Sequence, residues 1–382
     1  MTHYVLIIGY RQQLAKALQK LGIPYSIVSE KPIKILPDGV DEVVITPFSN
    51  IHPEQGVTGF NTKLNPTHVI AGTESGVFPA AVLRRLYGAR QSSQTLLTRC
   101  TDKTEMKSYL SKHKIPMARF IIHQRNLKAE KIVNALGLPL VVKDRINSGG
   151  RNVVITETVG ELRSLMGPER LYEEFLNAAE GSIESFVENG HIIFSSTTEY
   201  HITKFANVVP AGYRPDEIER IEALNRKVIK ALNIKWGLTH LEYYRAPAGE
   251  LFGEIALRPP GGYIMELLKE AYGFDPWQAF VKVELGLNVG RLPIDPVRVC
   301  GTAILHPGPG IISSVTQPDI EDYPTLVKCS IKAKKGDRIN IRQGVGEDLG
   351  HCVFSAKKYA DVIQDIVKMC HSSPIKTSEN DE

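Results

Sequence analysis

Glu242 and Glu254 stand twelve residues apart, each in an apolar setting: Gly237-Leu-Thr-His240-Leu-Glu242-Tyr and Leu251-Phe252-Gly-Glu254-Ile-Ala256-Leu-Arg258. Two carboxylates at the ends of adjacent predicted strands can share a hard divalent cation, and Arg258 can then grip an anion beside it. Mg²⁺ takes carboxylates plus substrate phosphate oxygens in preference to an all-protein cage, so the pair implies a bound nucleotide. The competing reading is two cross-strand acids on a solvated sheet face. Against it, Gly253 to Leu257 reads as a buried strand, where an unpaired carboxylate is expensive. Pro259-Pro260-Gly261-Gly262 then ends that strand sharply.

Two lysines could complete such a site. Lys103 sits early in a predicted helix after Asp102, and a helix N-terminus favours anions. Lys143 closes the apolar run Leu138-Pro-Leu-Val-Val, just before Asn147-Ser148-Gly149-Gly150-Arg151. Glycines in that loop would let backbone N–H groups approach phosphates. For each lysine the alternative is a solvated surface charge, and for Gly149-Gly150 an ordinary hairpin turn.

The elements that must position these residues follow from hydrophobic periodicity. Tyr4 to Gly9, Pro24 to Val28, Val43 to Ile45 and His68 to Gly72 read as strands, and Gln12 to Leu21 and Phe78 to Leu86 as helices. That alternation predicts a doubly wound α/β unit. Only Gly9 follows the first strand, so the G-x-G-x-x-G pattern of dinucleotide binding is missing. Helices are expected over 101–112, 129–136 and 215–232, with strands over 138–143, 153–155, 183–187, 191–199, 206–210, 238–244 and 251–257. Beyond residue 300 the chain reads as short strands and turns, then a helix over about 356–370. The polar tail from His371 to Glu382 is expected to be disordered.

Composition narrows the function classes. A chain of 382 residues suits two to four domains. A net charge of +4, with no basic run interleaved with aromatics, favours small anionic ligands over nucleic acid. The five cysteines show no C-x-x-C spacing, which fits free thiols in a reducing compartment and gives no zinc site. Val5-Leu6-Ile7-Ile8 is too short for a signal sequence or a membrane span, so a cytoplasmic protein with no membrane partner is expected.

Asp102-Lys103, Val141-Val142-Lys143, Ser148-Gly149-Gly150, Glu184-Ser-Phe186-Val187, Glu242 and Glu254-x-x-x-Arg258 occur in the order and spacing of the ATP-grasp superfamily. The chain resembles its carboxylate–amine ligases, in a biotin-carboxylase-like and L-amino-acid-ligase-like branch. Gly237-Leu-Thr-His240-Leu-Glu242, Arg258-Pro-Pro-Gly-Gly-Tyr-Ile and Gly273-Phe-Asp-Pro-Trp277 carry that flavour. The resemblance implies an α/β protein, α+β in its catalytic part. The expected divisions are an N-terminal doubly wound parallel-sheet domain over 1–99 and a two-lobed nucleotide-binding domain. The small lobe would cover 100–187 and the metal-bearing lobe 188–299, followed by a β-rich region over 300–370 and the tail 371–382.

The resemblance also implies roles. Lys103, Lys143, Ser148, Gly149 and Gly150 would meet ATP phosphates, with 147–151 as the lid. Glu184 to Val187 would form the hinge, where backbone groups of Phe186 and Val187 meet adenine, and His191 would reach the ribose. Glu242 and Glu254 would hold Mg²⁺, with Mn²⁺ able to replace it, and Arg258 would stabilise an acyl phosphate or a substrate carboxylate. The family often has Asn where this chain has Ala256, so water or a nearby group would replace that ligand.

Glu199 and His201 are candidates for an acceptor pocket, and His240 for the strand face that carries Glu242. Glu74, at a strand end in the first domain, could meet the acyl substrate, with a helix N-cap as its competing role. The expected activity is ATP-dependent joining of a small-molecule carboxylate to an amine, with release of ADP and phosphate. A bicarbonate-activating carboxylase-like enzyme or a catalytically weak ATP-binding protein are the alternatives, and the resemblance allows a homodimer.

Overall fold

The computed structural model describes residues 3–52, 56, 57, 65–147, 149–247 and 249–378. Its first layer is a parallel sheet. β1 (Val5–Ile8), β2 (Tyr25–Ser29), β3 (Val40–Ile45) and β4 (His68–Ala71) take the order β3-β2-β1-β4. Both faces of β1 are covered. Val5 and Ile7 pack with α1 (Gln12–Lys20), while Leu6 and Ile8 pack with α2 (Val77–Leu86). A continuous apolar run is what a strand buried on both faces requires.

This layer is bolted to the rest of the molecule by charge. Arg84 of α2 lies 2.8 Å from Glu284 of a later helix, both side chains only 9% exposed, and Arg84 Nε also donates to the Val69 carbonyl. Removing one partner of a buried pair strands the other charge, typically at about 3–5 kcal/mol. Glu284→Ala is therefore expected to lower unfolding stability by about that amount in a denaturant titration, whereas substitution of the exposed Glu222 should cost little.

Next come α3 (Gln94–Arg99) and α4 (Lys103–Lys112), the latter capped by Asp102, whose carboxylate accepts from the Thr104 N–H at 2.9 Å. A small antiparallel sheet follows, of β5 (Phe120–Ile122), β6 (Leu140–Asp144), β7 (Val154–Thr156) and β8 (Arg170–Glu174), in the order β5-β8-β6-β7. One face buries Leu140, Val142 and Tyr172 under α5 (Ala129–Leu136) and α6 (Val159–Leu165). The residues alternating with these, Val141, Lys143 and Glu173, present the other face to a cleft.

Across the cleft stands an antiparallel sheet of eight strands. Its members are β9 (Ala179–Glu188), β10 (His191–Ile202), β11 (Ala206–Val209), β12 (Gly237–Ala246), β13 (Gly249–Ala256), β14 (Val299–Leu305), β16 (Leu326–Ile331) and β17 (Gly350–Ala356), the intervening β15 being Gly310–Val315. The order is β13-β12-β9-β10-β11-β14-β17-β16. α7 (Pro215–Leu232) covers one face through Ile183, Leu241 and Tyr243. α8 (Ile264–Tyr272) and α9 (Pro276–Leu285) cover the opposite face through Phe186, Phe194 and Leu238. α10 (Tyr359–His371) packs on the C-terminal strands. No helix among the described residues is long and apolar enough to cross a membrane.

The expected disorder from His371 onward does not hold for its first part. His371 ends α10, and β18 (Ile375–Ser378) pairs antiparallel with β15, with Ile375 fully buried. One buried isoleucine on an edge strand gives no periodicity for sequence reading to find. Residues 379–382 lie outside the described residues.

The C-terminal strands also reach back to α8. Burial would raise the Glu266 carboxyl, but hydrogen bonds from His351 and Lys328 outweigh it and hold it down at about 2. A carboxyl depressed in the folded state stabilises the fold above its usual value near 4.5, and that stability is lost as pH falls from about 4.5 toward 2. Glu266→Gln is expected to flatten the melting-temperature profile in that window. The difference should be on the order of 1–2 kcal/mol after allowance for solvent screening.

Candidate functional site

Glu242 of β12 and Glu254 of β13 are direct cross-strand partners. The register slips immediately beyond them, because Gly253 is an extra residue between Glu254 and Phe252. Glycine suits that bulge, since a Cβ at residue 253 would lie a tight 3.0 Å from the Glu242 carbonyl oxygen. The bulge turns both carboxylates to the cleft face at the open edge of the large sheet. They form a two-carboxylate set; among the described residues no group of three or more His, Cys, Asp or Glu could hold a metal.

Both expected lysines converge on the same place. Lys103 Nζ lies 3.2 Å from Glu254 Oε2 and donates to the Asn147 carbonyl at 2.6 Å. It thus joins the carboxylate pair to the start of the glycine loop. Lys143 Nζ reaches across from the small sheet to the Tyr244 hydroxyl at 3.4 Å and to Glu173 Oε2 at 2.9 Å. Gly149 and Gly150 both adopt φ near +70°, which turns the loop back over the cleft. Ser148 lies outside the described residues.

His240 shares the Glu242 face, as alternation predicts, and stands between two carboxylates. Its Nδ1 lies 2.7 Å from Glu184 Oε1 and its Nε2 3.4 Å from Glu242 Oε1. Glu184 is fully buried and also accepts from the Ser182 and Thr198 hydroxyls at 2.7 and 2.6 Å. Burial disfavours charge on His240, but hydrogen bonds to Glu184 and Glu242 win and raise it to about 9. Burial likewise works to raise Glu242, and the His240 hydrogen bond drives it below its usual range. Tyr200 adds a hydroxyl donor to Glu242 at 3.1 Å. The metal candidate is therefore an ionised carboxylate with a fixed orientation. His240 is also the cross-strand partner of Ala256, so its imidazole stands beside the position where the family often has Asn.

Arg258 and Glu74 also meet. The Arg258 side chain is 13% exposed; its Nε is hydrogen-bonded to the Glu74 carboxylate and its Nη1 donates to the Pro259 carbonyl. Arg11 braces the same loop by donating to the carbonyls of Pro259 and Pro260 at 3.2 and 2.9 Å. Ser75 borders a cavity of about 480 Å³ at the carboxyl ends of the parallel strands, lined also by Gly9, Ser29 and Thr73. That is where open α/β sheets hold ligands.

Six sequence expectations need correction. Phe186 and Val187 lie inside β9, paired on both edges with β10 and β12, and both side chains are fully buried. Their backbone groups have no room for a base. His191 sits on the turn of the β9–β10 hairpin, opposite Glu188. Glu188 is six residues along β9 from Ser182, the partner of Glu242, or about 20 Å at a strand's rise. Glu199 and His201 point to the opposite face, where Glu199 accepts from Tyr359 of α10 at 2.8 Å and contacts His201 Nδ1 at 2.8 Å. A misplaced hinge explains the first three. The segment that joins the small sheet to the large one is 175–178, between β8 and β9, and it belongs to no sheet. Glu184 accordingly serves as the buried support of His240.

Sequence reading also missed several cleft residues. Tyr200, Tyr244 and Glu180 line the floor, and Val141 and Ile155 give the small sheet an apolar cleft face beside Lys143. The alternation of Val141 with Lys143 carried that signal; the unrecognised strand β8 concealed it.

The comparisons with known proteins agree with this architecture. Residues 100–198 match the model of the RimK-like ATP-grasp domain. The L-arginine-specific L-amino acid ligase of Bacillus subtilis is 24% identical over 328 residues, 78% of each chain. The crystal structure of an L-amino acid ligase from Bacillus licheniformis superposes with a TM-score of 0.82 at 16% identity, over 99% of both chains. That of N5-carboxyaminoimidazole ribonucleotide synthetase from Thermotoga maritima gives 0.76 at 18%, over 99% of this chain and 100% of the other.

Proposed function

We propose that this chain, whose residues 100–198 match an ATP-grasp domain, is an ATP-dependent carboxylate–amine ligase that couples an amino acid or similar small carboxylate to an amine through an acyl phosphate. One observation carries the reading: Glu242 and Glu254 face each other across a bulged strand pair, with Lys103, Lys143 and Arg258 disposed around them.

Each residue has a task in this reading. ATP lies in the cleft, its base against Val141 and Ile155 near the 175–178 linker, and its phosphates toward Lys103, Lys143 and the glycine loop. Glu242 and Glu254 are a fitting pair to hold Mg²⁺, which when bound beside the phosphates would supply charge neutralisation for the transferring phosphoryl group. The Glu184–His240 contact keeps Glu242 ionised and aimed. A carboxylate oxygen attacks the γ-phosphorus in line, ADP departs, and the acyl phosphate forms beside Arg258. A planar guanidinium suits both the incoming carboxylate and the developing phosphate charge. Glu74 pairs with that guanidinium, so substrate carboxylate and Glu74 would compete for it. The amine then attacks the acyl carbon, an amide bond forms and phosphate leaves. Acyl phosphates hydrolyse, so the glycine loop must exclude water while both substrates are held.

The name of the Bacillus subtilis relative suggests amino acids as substrates. The purified chain should be mixed with ATP, Mg²⁺ and pools of amino acids as carboxylate and amine. ADP release that needs both partners, with a dipeptide-type product by mass spectrometry, is the expected result. Bicarbonate-dependent turnover, AMP release, or tight ATP binding without any turnover would each refute the ligase reading.

A further inference from the structure

Lys107 is a lysine that the reaction above does not use. It stands one helical turn after Lys103 on α4, only 1% exposed, and its ammonium lies 3.1 Å from Glu173 Oε1. The other oxygen of the same carboxylate is 2.9 Å from Lys143 Nζ. An isolated buried ammonium is among the most costly groups a fold can contain, so its retention calls for a reason at the site it touches.

The surroundings supply one. α4 is fastened to the end of β6 at three points. Asp102 meets Arg145 at 2.6 Å, the Lys103 N–H donates to the Arg145 carbonyl, and Glu173 joins Lys107 to Lys143. Three ammonium groups, Lys103, Lys107 and Lys143, share two carboxylates, Glu173 and Glu254. If Lys107 lost its charge, Glu173 would belong to Lys143 alone and neutralise it. With Lys107 in place, Glu173 tethers the Lys143 side chain yet only partly cancels it.

We propose that Lys107 is a positioning residue: through the carboxylate they share, it sets the reach and the free charge of Lys143 toward the nucleotide phosphates. The proposal rests on the nucleotide reading above. It adds a residue that meets neither substrate nor metal and works from the floor of the small lobe.

A double-mutant cycle on MgATP binding by calorimetry tests it, with the full chain as wild type, Lys107→Met, Lys107→Arg, Lys143→Met and Lys107→Met/Lys143→Met. Circular dichroism melting checks the fold of each. Loss of an outer-shell partner typically costs about 10–100-fold, so Lys107→Met should weaken MgATP by that factor. Lys107→Arg, which keeps the charge, should restore most of it. In the Lys143→Met background the further loss should be under about twofold, because the residue acts through Lys143. Should Lys107→Met fail to fold, Lys107→Gln, which keeps a donor to Glu173 without the charge, is read in the same way. Unchanged affinity in a folded Lys107 variant, or losses that simply multiply in the double variant, overturns the proposal and leaves the nucleotide reading standing. No MgATP binding by the wild-type chain would instead bring down that reading and this proposal together.

Discussion

Glu254→Ala is expected to lower ligase turnover by at least the 10²–10³-fold that loss of a charge-stabilising group typically costs, on the order of 3–4 kcal/mol in the transition state. Two effects add. The metal candidate loses one of its two protein carboxylates, and Lys103 loses the partner that holds its ammonium 3.2 Å away. The fold should survive, because Glu254 is partly exposed on the cleft and lies outside the buried cores on either side of the sheet. A titration of Mg²⁺ at fixed ATP checks the cause, since the apparent metal requirement should rise with the loss of rate. A folded Glu254→Ala chain that keeps its rate within about tenfold at ordinary Mg²⁺ would remove this carboxylate from the mechanism.

Arg258→Ala should cost a similar factor, with a different signature. Its guanidinium touches Glu74 and the Pro259 carbonyl and makes no contact with either lysine, so MgATP affinity should stay within about threefold while turnover falls on the order of 10²–10³-fold. Arg258→Lys is expected to recover little, because an ammonium cannot present the planar fork that a carboxylate or phosphate accepts. Measured kcat and ATP affinity for the two variants decide the matter. If Arg258→Lys restores near-normal turnover, plain positive charge suffices and the bidentate role is wrong. If instead MgATP affinity collapses with Arg258→Ala, the residue belongs to the nucleotide and not to the acyl group.

The loop around Arg258 draws its partners from the layers of two different sheets. Arg11 comes from the start of α1 and braces Pro259 and Pro260, and Glu74 comes from the end of β4. Both belong to the parallel-sheet layer, whereas Arg258 follows a strand of the large sheet. In the proposed reading the acyl end of the reaction lies at the seam between this layer and the large sheet, which the buried Arg84–Glu284 pair also bridges. A variant that loosens that pair would be expected to weaken catalysis as well as stability.

Local chemistry made much of this protein readable from its residues in order. The four apolar strands of the first layer, the Asp102 cap ahead of Lys103, the glycines after Lys143 and the two glutamates twelve residues apart each depend on neighbours in sequence. Strand alternation also placed His240 on the Glu242 face, because side chains two apart point the same way. Tertiary structure decided what depends on partners distant in the chain. Phe186 and Val187 look like an exposed linker until β10 and β12 are seen on both edges of β9. Glu199 and His201 were lost to the far face by one step of the same alternation that placed His240 correctly. Lys107 resembles any helical surface lysine in the sequence, and only the packing of α4 on the small sheet buries it against Glu173. The chain's own order fixes which charges it owns; the meeting of two sheets across a cleft fixes which of them face one another, because burial and register are properties of the pair and not of either strand alone.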